Sequence, residues 1–447
     1  MKQRGAVHPV GADVSRGRIP RNIRPRLLAV LVLFVCALGA QAAPPPARAQ
    51  AVIEIWLSGG PPHLDTFDPK PEAGNDYTGP LSHPLATNVP GIQIGESLPL
   101  LAQQADKYSL IRSMTHGVDS HETAAYMMQT GHKPGDGLVW PCLGSVVSAF
   151  KGYDHGYTGQ IPPYVMLTTS LGRFTPSGFL GLKYEPFVTG GDPNQPRFAV
   201  EGVVQEGITD QRQQSRRDLL HALDLLGRAL PDDPRLGQLD ACETKAYDLI
   251  LGTAGKVFDL SEETAEVRDK YGRNSFGQSC LVARRLVERG VPYITINSGG
   301  WDTHKQHFEA MRRKLPDLDQ GLAMLLQDLA DKGLLDSTLV WCRGEFGRTP
   351  KVQWEQPWGG GRGHYGSCFS VLVAGGGFQG GKVVGASDAH GERPVARPVY
   401  PQDLIGSVYE LLGIDPDGPL PNPAGLNVKV MPSEESGPGQ GRLREIM

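Results

Sequence analysis

The sequence predicts an α/β protein built on a mostly parallel sheet with helices on both faces. Apolar segments of strand length alternate with helical patterns along the chain, which is the order that a covered parallel sheet requires. The 57 Gly and 37 Pro make 94 of the 447 residues, about 21%, against an ordinary share of about 12%. A loop-rich globular protein fits this composition, and collagen, coiled coil and general disorder are excluded.

The first 49 residues form a predicted export signal with a Pro-rich spacer. A basic lead precedes a fourteen-residue apolar stretch, Leu27–Ala40, and small-x-small cleavage patterns follow at Ala40–Ala42 and Ala47–Ala49. A membrane-retained anchor is the alternative, but fourteen residues fall short of the roughly 20 that a span needs. We therefore expect an exported protein, in the periplasm or outside the cell, with no membrane span after the signal is removed.

The predicted body covers residues 50–430 and begins with a buried strand at Val52–Leu57, which a Gly- and Pro-rich turn ends. Further elements of the amino-terminal half are helix Leu98–Lys107, strand Tyr108–Arg112, helix His121–Gln129 and strand Tyr164–Thr168. Between about residues 209 and 290, leucines recur at three- and four-residue spacing, for instance from Leu219 to Leu230. This pattern predicts a helical insertion or lid.

The carboxyl half repeats a module of strand, polar loop and helix. Its predicted elements are helix Ser279–Glu288, strand Pro292–Asn297, a helical region to about Lys332 interrupted near Pro316, strand Thr338–Cys342, strand Phe369–Val373 and helix Gln402–Leu412. In such folds the loops at the carboxyl ends of the strands bind ligands. Residues 431–447 are polar and Gly-rich, so a disordered tail is predicted.

Charge and cysteine content narrow the function classes. Of the 44 Lys/Arg and 48 Asp/Glu, eight basic residues and one acidic residue lie in residues 1–49, which leaves 36 basic and 47 acidic residues and a net charge of −11. An acidic exported body is a poor nucleic-acid binder, so no nucleic-acid partner is expected. Five widely spaced cysteines remain beyond the leader, and neither a disulfide framework nor a Cys-x-x-Cys metal site is predicted.

Polar loops after the predicted strands concentrate carboxylates and imidazoles. The predicted metal ligands are Asp65, Asp302, His304, Glu345 and His364. Oxygen and imidazole donors without thiolates suit divalent metal ions, with zinc favoured and manganese, calcium or iron as alternatives. Two such ions about 3.5–4 Å apart activate water and stabilise an in-line displacement, so a metal-dependent hydrolase is predicted. Taken singly, each of these residues also has an ordinary explanation as a cap or loop residue.

Two further groups of residues are candidates for catalysis and substrate binding. His121 and Ser120 head a predicted helix, whose free N–H groups favour an anionic substrate or a nucleophile that becomes negative. Ser120 as a plain helix cap is the alternative. Arg348 and Arg362 flank the proposed ligands and are predicted to hold a phosphate or sulfate through paired hydrogen bonds, with surface ion pairing as the alternative.

The order of these motifs resembles a family of exported bacterial proteins, domain-of-unknown-function family 1501, of the alkaline phosphatase and sulfatase superfamily. The matching strings are Leu57–Asp68, His121–Ala125 with Thr130–Gly131, Gly300–His304, Gly344–Pro350 and Gly361–His364. Coverage runs from about residue 51 to 430. The resemblance implies an alkaline phosphatase-like fold with two metals at the carboxyl ends of a parallel sheet, and a Ser, Thr or modified Cys nucleophile at a helix start.

Residue by residue, the resemblance implies roles for four of the predicted ligands. Asp65 matches the first metal carboxylate, Asp302 and His304 match the Asp and His of one metal, and His364 matches the late His ligand. The chain departs from the superfamily at Glu345-Phe346, where an Asp-His pair is usual, and in lacking a clear Ser or Thr helix start.

The expected function is that of an exported metal-dependent hydrolase of phosphate or sulfate esters, acting on an anionic small-molecule or glycan ester. One alternative is a non-catalytic protein that keeps the sulfatase-like fold and binds a sulfated or phosphorylated glycan. Another is a cell-envelope scaffold, which predicts a partner protein and no small ligand.

Overall fold

An eight-stranded sheet runs through the centre of the protein, whose computed structural model describes residues 46–170, 176–195, 198, 200, 209–223, 249, 253–432 and 439–447. The strands of the described ranges are β1 Ala51–Leu57, β2 Leu85–Ala86, β3 Gln93–Ile94, β4 Tyr108–Met114, β5 Tyr164–Leu167, β6 Phe187–Val188, β7 Tyr293–Ser298, β8 Thr338–Arg343, β9 Gly347–Arg348, β10 His364–Tyr365, β11 Phe369–Ala374, β12 Lys382–Val384, β13 Ala386–Ser387 and β14 Pro394–Ala396.

The large sheet is mostly parallel, as the sequence predicted. Its strand order is β12-β4-β11-β8-β1-β7-β5-β6, and every neighbouring pair is parallel except the two that contain β11. The carboxyl ends of β1, β4, β5, β7 and β8 therefore share one edge. The loops that follow β1, β4, β7 and β8 carry the polar motifs of the sequence.

Helices connect these strands and cover the sheet. Those of the described ranges are α1 Asn75–Thr78, α2 Pro99–Ala102, α3 His121–Thr130, α4 Leu143–Lys151, α5 Asp210–Leu223, α6 Ala265–Tyr271, α7 Ser275–Glu288, α8 His307–Asp331 and α9 Pro401–Leu411. The predicted helix Leu98–Lys107 is thus much shorter. The predicted interruption near Pro316 is wrong, because α8 continues through it and keeps Met311, Leu315 and Leu318 in the core.

Two apolar cores lie on opposite faces of the sheet, and the alternation of side chains along β1 shows why. Ile53, Ile55 and Leu57 belong to the core that contains the buried residues of α7 and α8. Val52 and Trp56 belong to the other core, with the buried residues of α4 and α9. Strands buried on both faces need covering helices, so the predicted α/β architecture is confirmed.

A buried ion pair crosses the middle of the sheet and fixes the helix that carries His121. Arg343 in β8 lies 2.5 Å from the Glu54 carboxylate in β1, and both side chains are almost fully buried. Arg343 also donates to the carbonyl of Met128 at 2.5 Å, while Tyr293 and Thr295 donate to Glu54 at 3.0 Å. The ion pair places the two buried charges together, and the bond to Met128 holds α3 against the carboxyl end of β8.

Two predicted boundaries differ from the structure. The predicted insertion at about 209–290 includes α7, which packs against β7 and belongs to the core layer. Residues 224–248 and 250–252 of the predicted insertion lie outside the described residues. In the predicted disordered tail, residues 439–447 are packed on the domain, because Leu443 and Ile446 are buried in the second core.

Of the predicted leader, residues 1–49, residues 1–45 lie outside the described part of the chain. Within the described ranges, no helix combines the length and the apolar character that crossing a bilayer requires. The four cysteines that the structure describes, Cys142, Cys280, Cys342 and Cys368, are free and buried.

Candidate metal centre

The carboxyl edge of the sheet gathers four of the five predicted ligands and His121 around one carboxylate. Asp302 and His304 lie in the loop after β7, Glu345 follows β8, His364 starts β10, and His121 starts α3. One ligand atom each from His121, Asp302 and His364 lies within 4.8 Å of the others. The sequence motifs, up to 243 positions apart, are thus brought together by the parallel arrangement of their strands.

Asp302 is the centre of this group. Its Oδ1 lies 3.0 Å from Nε2 of His304 and 3.1 Å from Nε2 of His364, and its Oδ2 lies 3.4 Å from Nε2 of His121. The two Nε2 atoms of His304 and His364 are 2.9 Å apart. Three imidazole nitrogens therefore face one carboxylate. We call these four residues, with Glu345, the Asp302 cluster.

In two of the three imidazoles, a hydrogen bond at Nδ1 determines which ring nitrogen carries the proton. Nδ1 of His364 lies 2.7 Å from the Asp119 carbonyl, and Nδ1 of His121 lies 2.7 Å from Oε1 of Glu345. Since these oxygens only accept, each Nδ1 donates, and the neutral ring presents an unprotonated Nε2 to Asp302. Lone pairs that face a carboxylate repel it unless a proton or a cation lies between them. The arrangement fits a metal ion, and backing of His ligands by carboxylate or carbonyl is typical of metal sites.

Glu345 acts on His121 and not directly on Asp302. Its carboxylate is almost fully buried and accepts from the Gly59 N–H at 2.9 and 3.2 Å as well as from His121. Its contacts therefore orient His121 and the β1 turn, which differs from the predicted role of a metal ligand. Gly59 has a φ of 114°, and a side chain there would collide with the backbone of Asp302, so this close approach requires glycine.

The surroundings of the cluster lower the pKa values of Asp302 and His304 and raise the pKa of His121. Partial burial opposes the ionised form of Asp302, but the hydrogen bond and charge of Arg348 outweigh it and lower the pKa of Asp302. The hydrogen bond to Glu345 is the largest influence on His121 and raises its pKa, with Asp302 adding to the effect. Burial is the main reason that the pKa of His304 is lowered, helped by the charge of Arg348.

The two arginines predicted to bind the substrate anion are buried within the protein. Arg348 and Arg362 are each 1% exposed. Arg348 binds the Asp302 carboxylate and the carbonyls of Gly59, Gly60 and Arg362. Arg362 donates to the carbonyls of Thr349 and Tyr77 at 2.9 and 2.6 Å and to that of Pro350. Most of their donors bind groups inside the fold, so they position the site loops, and neither arginine lines the cavity beside the cluster. Their role in substrate binding stays a prediction.

Asp65 is the one predicted ligand that lies outside the cluster. Its fully buried carboxylate lies 2.7 Å from Nε2 of His307 and 3.3 Å from Nε of Arg362. Nδ1 of His307 in turn lies 2.6 Å from the Thr303 hydroxyl. Burial opposes ionisation of Asp65, but Arg362 and His307 together lower its pKa. In this structure Asp65 is paired with His307 and Arg362, and its role as a metal ligand stays a prediction. We call Asp65, His307, Thr303 and Arg362 the Asp65 cluster.

Ser120 and two residues that the sequence did not single out complete the surroundings. Ser120 is the exposed N-cap of α3, and its side chain makes no capping hydrogen bond. Asp119 orients His364 through its carbonyl and the Gly366 N–H through its carboxylate at 2.6 Å. His116 has its Nε2 2.7 Å from the Glu345 carbonyl. Asp119 directly precedes the Ser120 N-cap, and this position beside a predicted helix start is its sequence signal.

A cavity of about 810 Å³ opens beside the cluster and gives it access to solvent. His121, Asp302 and Glu345 form part of its wall, and one side of α3 forms another part. Cavities of this volume hold small-molecule ligands. The cluster thus combines a donor set for a cation with an adjoining space for a substrate.

The protein is an α/β protein with imidazoles and carboxylates at the carboxyl edge of its sheet. Over residues 49–436 the chain matches the family described as "Protein of unknown function (DUF1501)", and it belongs to that family. No curated protein is significantly similar to it in sequence.

The solved structures to which this chain is similar include a sulfatase, an alkaline phosphatase and a lipoteichoic acid synthase. The structure of Ps i-CgsB in complex with k-i-k-neocarrahexaose is 13% identical, with 83% of this chain and 72% of that chain covered and a TM-score of 0.40. The lipoteichoic acid synthase LtaP from Listeria monocytogenes is 10% identical, covers 90% and 80%, and has a TM-score of 0.38. The alkaline phosphatase from the Antarctic bacterium TAB5 is 13% identical, covers 75% and 94%, and has a TM-score of 0.32.

Proposed function

We propose that this protein is an exported, metal-dependent hydrolase of phosphate or sulfate esters. The observation that carries the proposal is the Asp302 cluster, in which three imidazole nitrogens face one carboxylate beside an open cavity. Two of these imidazoles have Nδ1 bound to an oxygen, so their Nε2 atoms are available to a cation.

The residues proposed to hold the ion are His121, Asp302, His304 and His364. Three imidazoles and one carboxylate suit zinc, manganese or iron, whereas calcium prefers an all-oxygen set; zinc is the first choice. When bound, a divalent ion supplies a water of lowered pKa and neutralises negative charge on the ester. His121 was predicted as the nucleophile or a substrate contact, and its Nε2 next to Asp302 favours the role of a ligand instead.

The chain contributes orientation and access around this group. Glu345 orients His121, the Asp119 carbonyl orients His364, and Arg348 holds the Asp302 carboxylate. Ser120 directly precedes His121, is exposed and makes no capping hydrogen bond, so it remains the candidate nucleophile of the chain. The cavity beside the cluster admits the ester.

Metal analysis and turnover test this proposal together. We expect purified protein to contain at least about one equivalent of a divalent metal, and chelation to abolish hydrolysis of aryl phosphate or aryl sulfate. Asp302→Asn should lose metal and lower turnover by at least about a hundredfold. Asp336→Asn is the control, because Asp336 is an exposed carboxylate at the amino end of β8. Metal content under roughly 0.2 equivalents with hydrolysis that resists chelation rejects the proposal.

One feature favours the alternative of a non-catalytic glycan-binding protein. Phe346 stands where the resembling superfamily usually has a His, and its ring stacks on His364 with centroids 4.7 Å apart. A second metal would lack that ligand. If Asp302→Asn leaves affinity for a sulfated or phosphorylated glycan intact and no ester is turned over by the natural chain, the glycan-binding alternative is correct.

Export is the cellular part of the proposal and rests on the basic and apolar leader of residues 1–49. Fractionation of the producing cell, with the amino terminus of the isolated protein determined, tests it. If the protein is retained inside the cell with its leader, export is contradicted. The proposal for the metal centre is not affected by that result.

A further inference from the structure

We infer that the ester bound at this site carries a neutral, apolar alcohol, such as an aryl alcohol, and not a polyanionic glycan. The inference rests on the proposed function and adds the chemical class of the alcohol that hydrolysis releases from the ester. It comes from the size, the apolar wall and the charge of the cavity beside the Asp302 cluster.

The cavity is much larger than the reacting ester group requires. Its volume of about 810 Å³ falls within the range of about 300–1,000 Å³ of pockets that bury most of a drug-sized ligand. The cluster occupies one part of its wall only. Most of the space is therefore available to the alcohol.

The wall away from the cluster is largely apolar. Trp56, at the end of β1, lies on one side, and Ala125 and Tyr126 on α3 lie on another, with Pro134 also lining the cavity. Gln129 follows one turn after Ala125 on the same face of the helix. An aromatic or branched alkyl group buries apolar surface against this part of the wall. The polar side chains of the remaining wall are those of Ser58, Glu122, Thr123 and Gln129.

The charges that line the cavity are acidic. Apart from the Tyr126 phenol, its ionisable side chains are His121 and three carboxylates, those of Glu122, Asp302 and Glu345. None of the lining residues within the described part of the chain is lysine or arginine, and Arg348 is buried behind Asp302. Sites for sulfate and phosphate groups use arginine and lysine. Each anionic group of a polysulfated chain beyond the reacting one would meet like charge.

Competing substrates test the inference on the natural protein. The pairs are 1-naphthyl phosphate against glycerol phosphate, and 1-naphthyl sulfate against a disaccharide that carries several sulfates. We expect kcat/KM to favour the naphthyl ester by at least roughly tenfold in the pair that matches the enzyme's reaction. Equal or better turnover of the glycerol or polysulfated ester overturns the inference while leaving the proposed hydrolase intact.

Binding of the free alcohol separates this inference from the proposed function, because it needs neither metal nor turnover. We expect 1-naphthol to bind the chelated protein, as followed by fluorescence, and Ala125→Trp to weaken that binding at least roughly tenfold by filling the cavity. Ala86→Trp, at an exposed position in β2, is the matched control and should leave binding unchanged. Thermal melting verifies that both variants fold, and Ala125→Leu replaces Ala125→Trp if the larger side chain prevents folding.

Each outcome of the binding experiment decides the inference. Binding of 1-naphthol that Ala125→Trp or Ala125→Leu weakens, in a protein without metal or esterase activity, supports the apolar site and rejects the hydrolase. Absence of binding, or equal weakening by Ala86→Trp, overturns the inference.

Discussion

Two clusters of Asp, His and Arg lie on neighbouring loops of this protein, and they differ mainly in their exposure to water. In the Asp302 cluster, the side chains of Asp302 and His304 are 43% and 38% exposed. In the Asp65 cluster, the side chains of Asp65 and His307 are 0% exposed. Each carboxylate is backed by a buried arginine, Arg348 in the first case and Arg362 in the second.

The comparison teaches that the same residue types form an open set of donor atoms or a buried support according to how many of their polar atoms are already paired. His307 has partners on both nitrogens, and Asp65 has His307 and Arg362. In the Asp302 cluster, Nε2 atoms face a carboxylate that an open cavity reaches. The buried cluster also supports the exposed one, because Thr303 lies between Asp302 and His304 in the chain.

The largest expected effect is a loss of stability when the buried carboxylate of the Asp65 cluster is removed. Asp65→Asn leaves the buried charge of Arg362 without its partner, so we expect a loss of about 3–5 kcal/mol in the free energy of unfolding. Asp336→Asn should stay within about 0.5 kcal/mol, as exposed positions do. Urea unfolding measures both. A loss under about 1 kcal/mol for Asp65→Asn would show that the buried pair is not a structural support.

A smaller effect, on metal affinity, is expected when Glu345, the buried carboxylate that orients His121, is replaced. Glu345→Gln weakens the hydrogen bond that orients His121 at 2.7 Å, so we expect metal affinity to fall about 10–100-fold. The folded state should persist, since the amide oxygen still accepts from the Gly59 N–H. Competition with a metal chelator gives the affinity, and Glu355→Gln, an exposed glutamate, is the control. Unchanged affinity would place Glu345 outside the metal site.

The third expectation concerns acid stability of the buried cluster. Burial lowers the pKa of His307 below its ordinary value of 6.5, so the unfolded chain takes up a proton there before the folded protein does. The stability that this neutral histidine contributes is therefore complete above about pH 6.5 and is lost as the pH falls below it. His307→Gln should flatten the decrease in unfolding free energy between pH 7.5 and 5.5. His83→Gln, at an exposed histidine, should keep the natural slope.

The smallest effect is expected at the exposed edge of the Asp302 cluster. Ser120 makes no capping hydrogen bond, so Ser120→Ala should change the unfolding free energy by less than about 0.5 kcal/mol. Asn274→Ala is the comparison, because Asn274 accepts from the Gly277 N–H at 2.8 Å and its loss should cost about 1 kcal/mol. A cost at Ser120 equal to that at Asn274 would make Ser120 a structural cap. If stability is unchanged and turnover falls at least about a hundredfold, Ser120 is the nucleophile.

The sequence predicted the strands and the site loops better than it predicted individual roles. Buried strands such as β1 and β8 are short apolar runs, and their bounds differ from the prediction by one residue. The strands are buried on both faces, so their apolar character is visible without tertiary information. Helix ends depend on local capping and tertiary packing. The helix predicted to reach Lys107 therefore stops at Ala102, and α8 passes through Pro316.

Local sequence by itself determined an α/β chain with acidic and imidazole side chains in the loops after its strands, because apolar periodicity and residue type are properties of short segments. Only the tertiary structure decided that Asp302 stays open to solvent while Asp65 is sealed against His307 and Arg362, and that Arg348 faces inward. Exposure and pairing depend on residues distant in the chain, such as Arg362, which lies 297 positions from Asp65. The chemistry of each carboxylate is set by those partners.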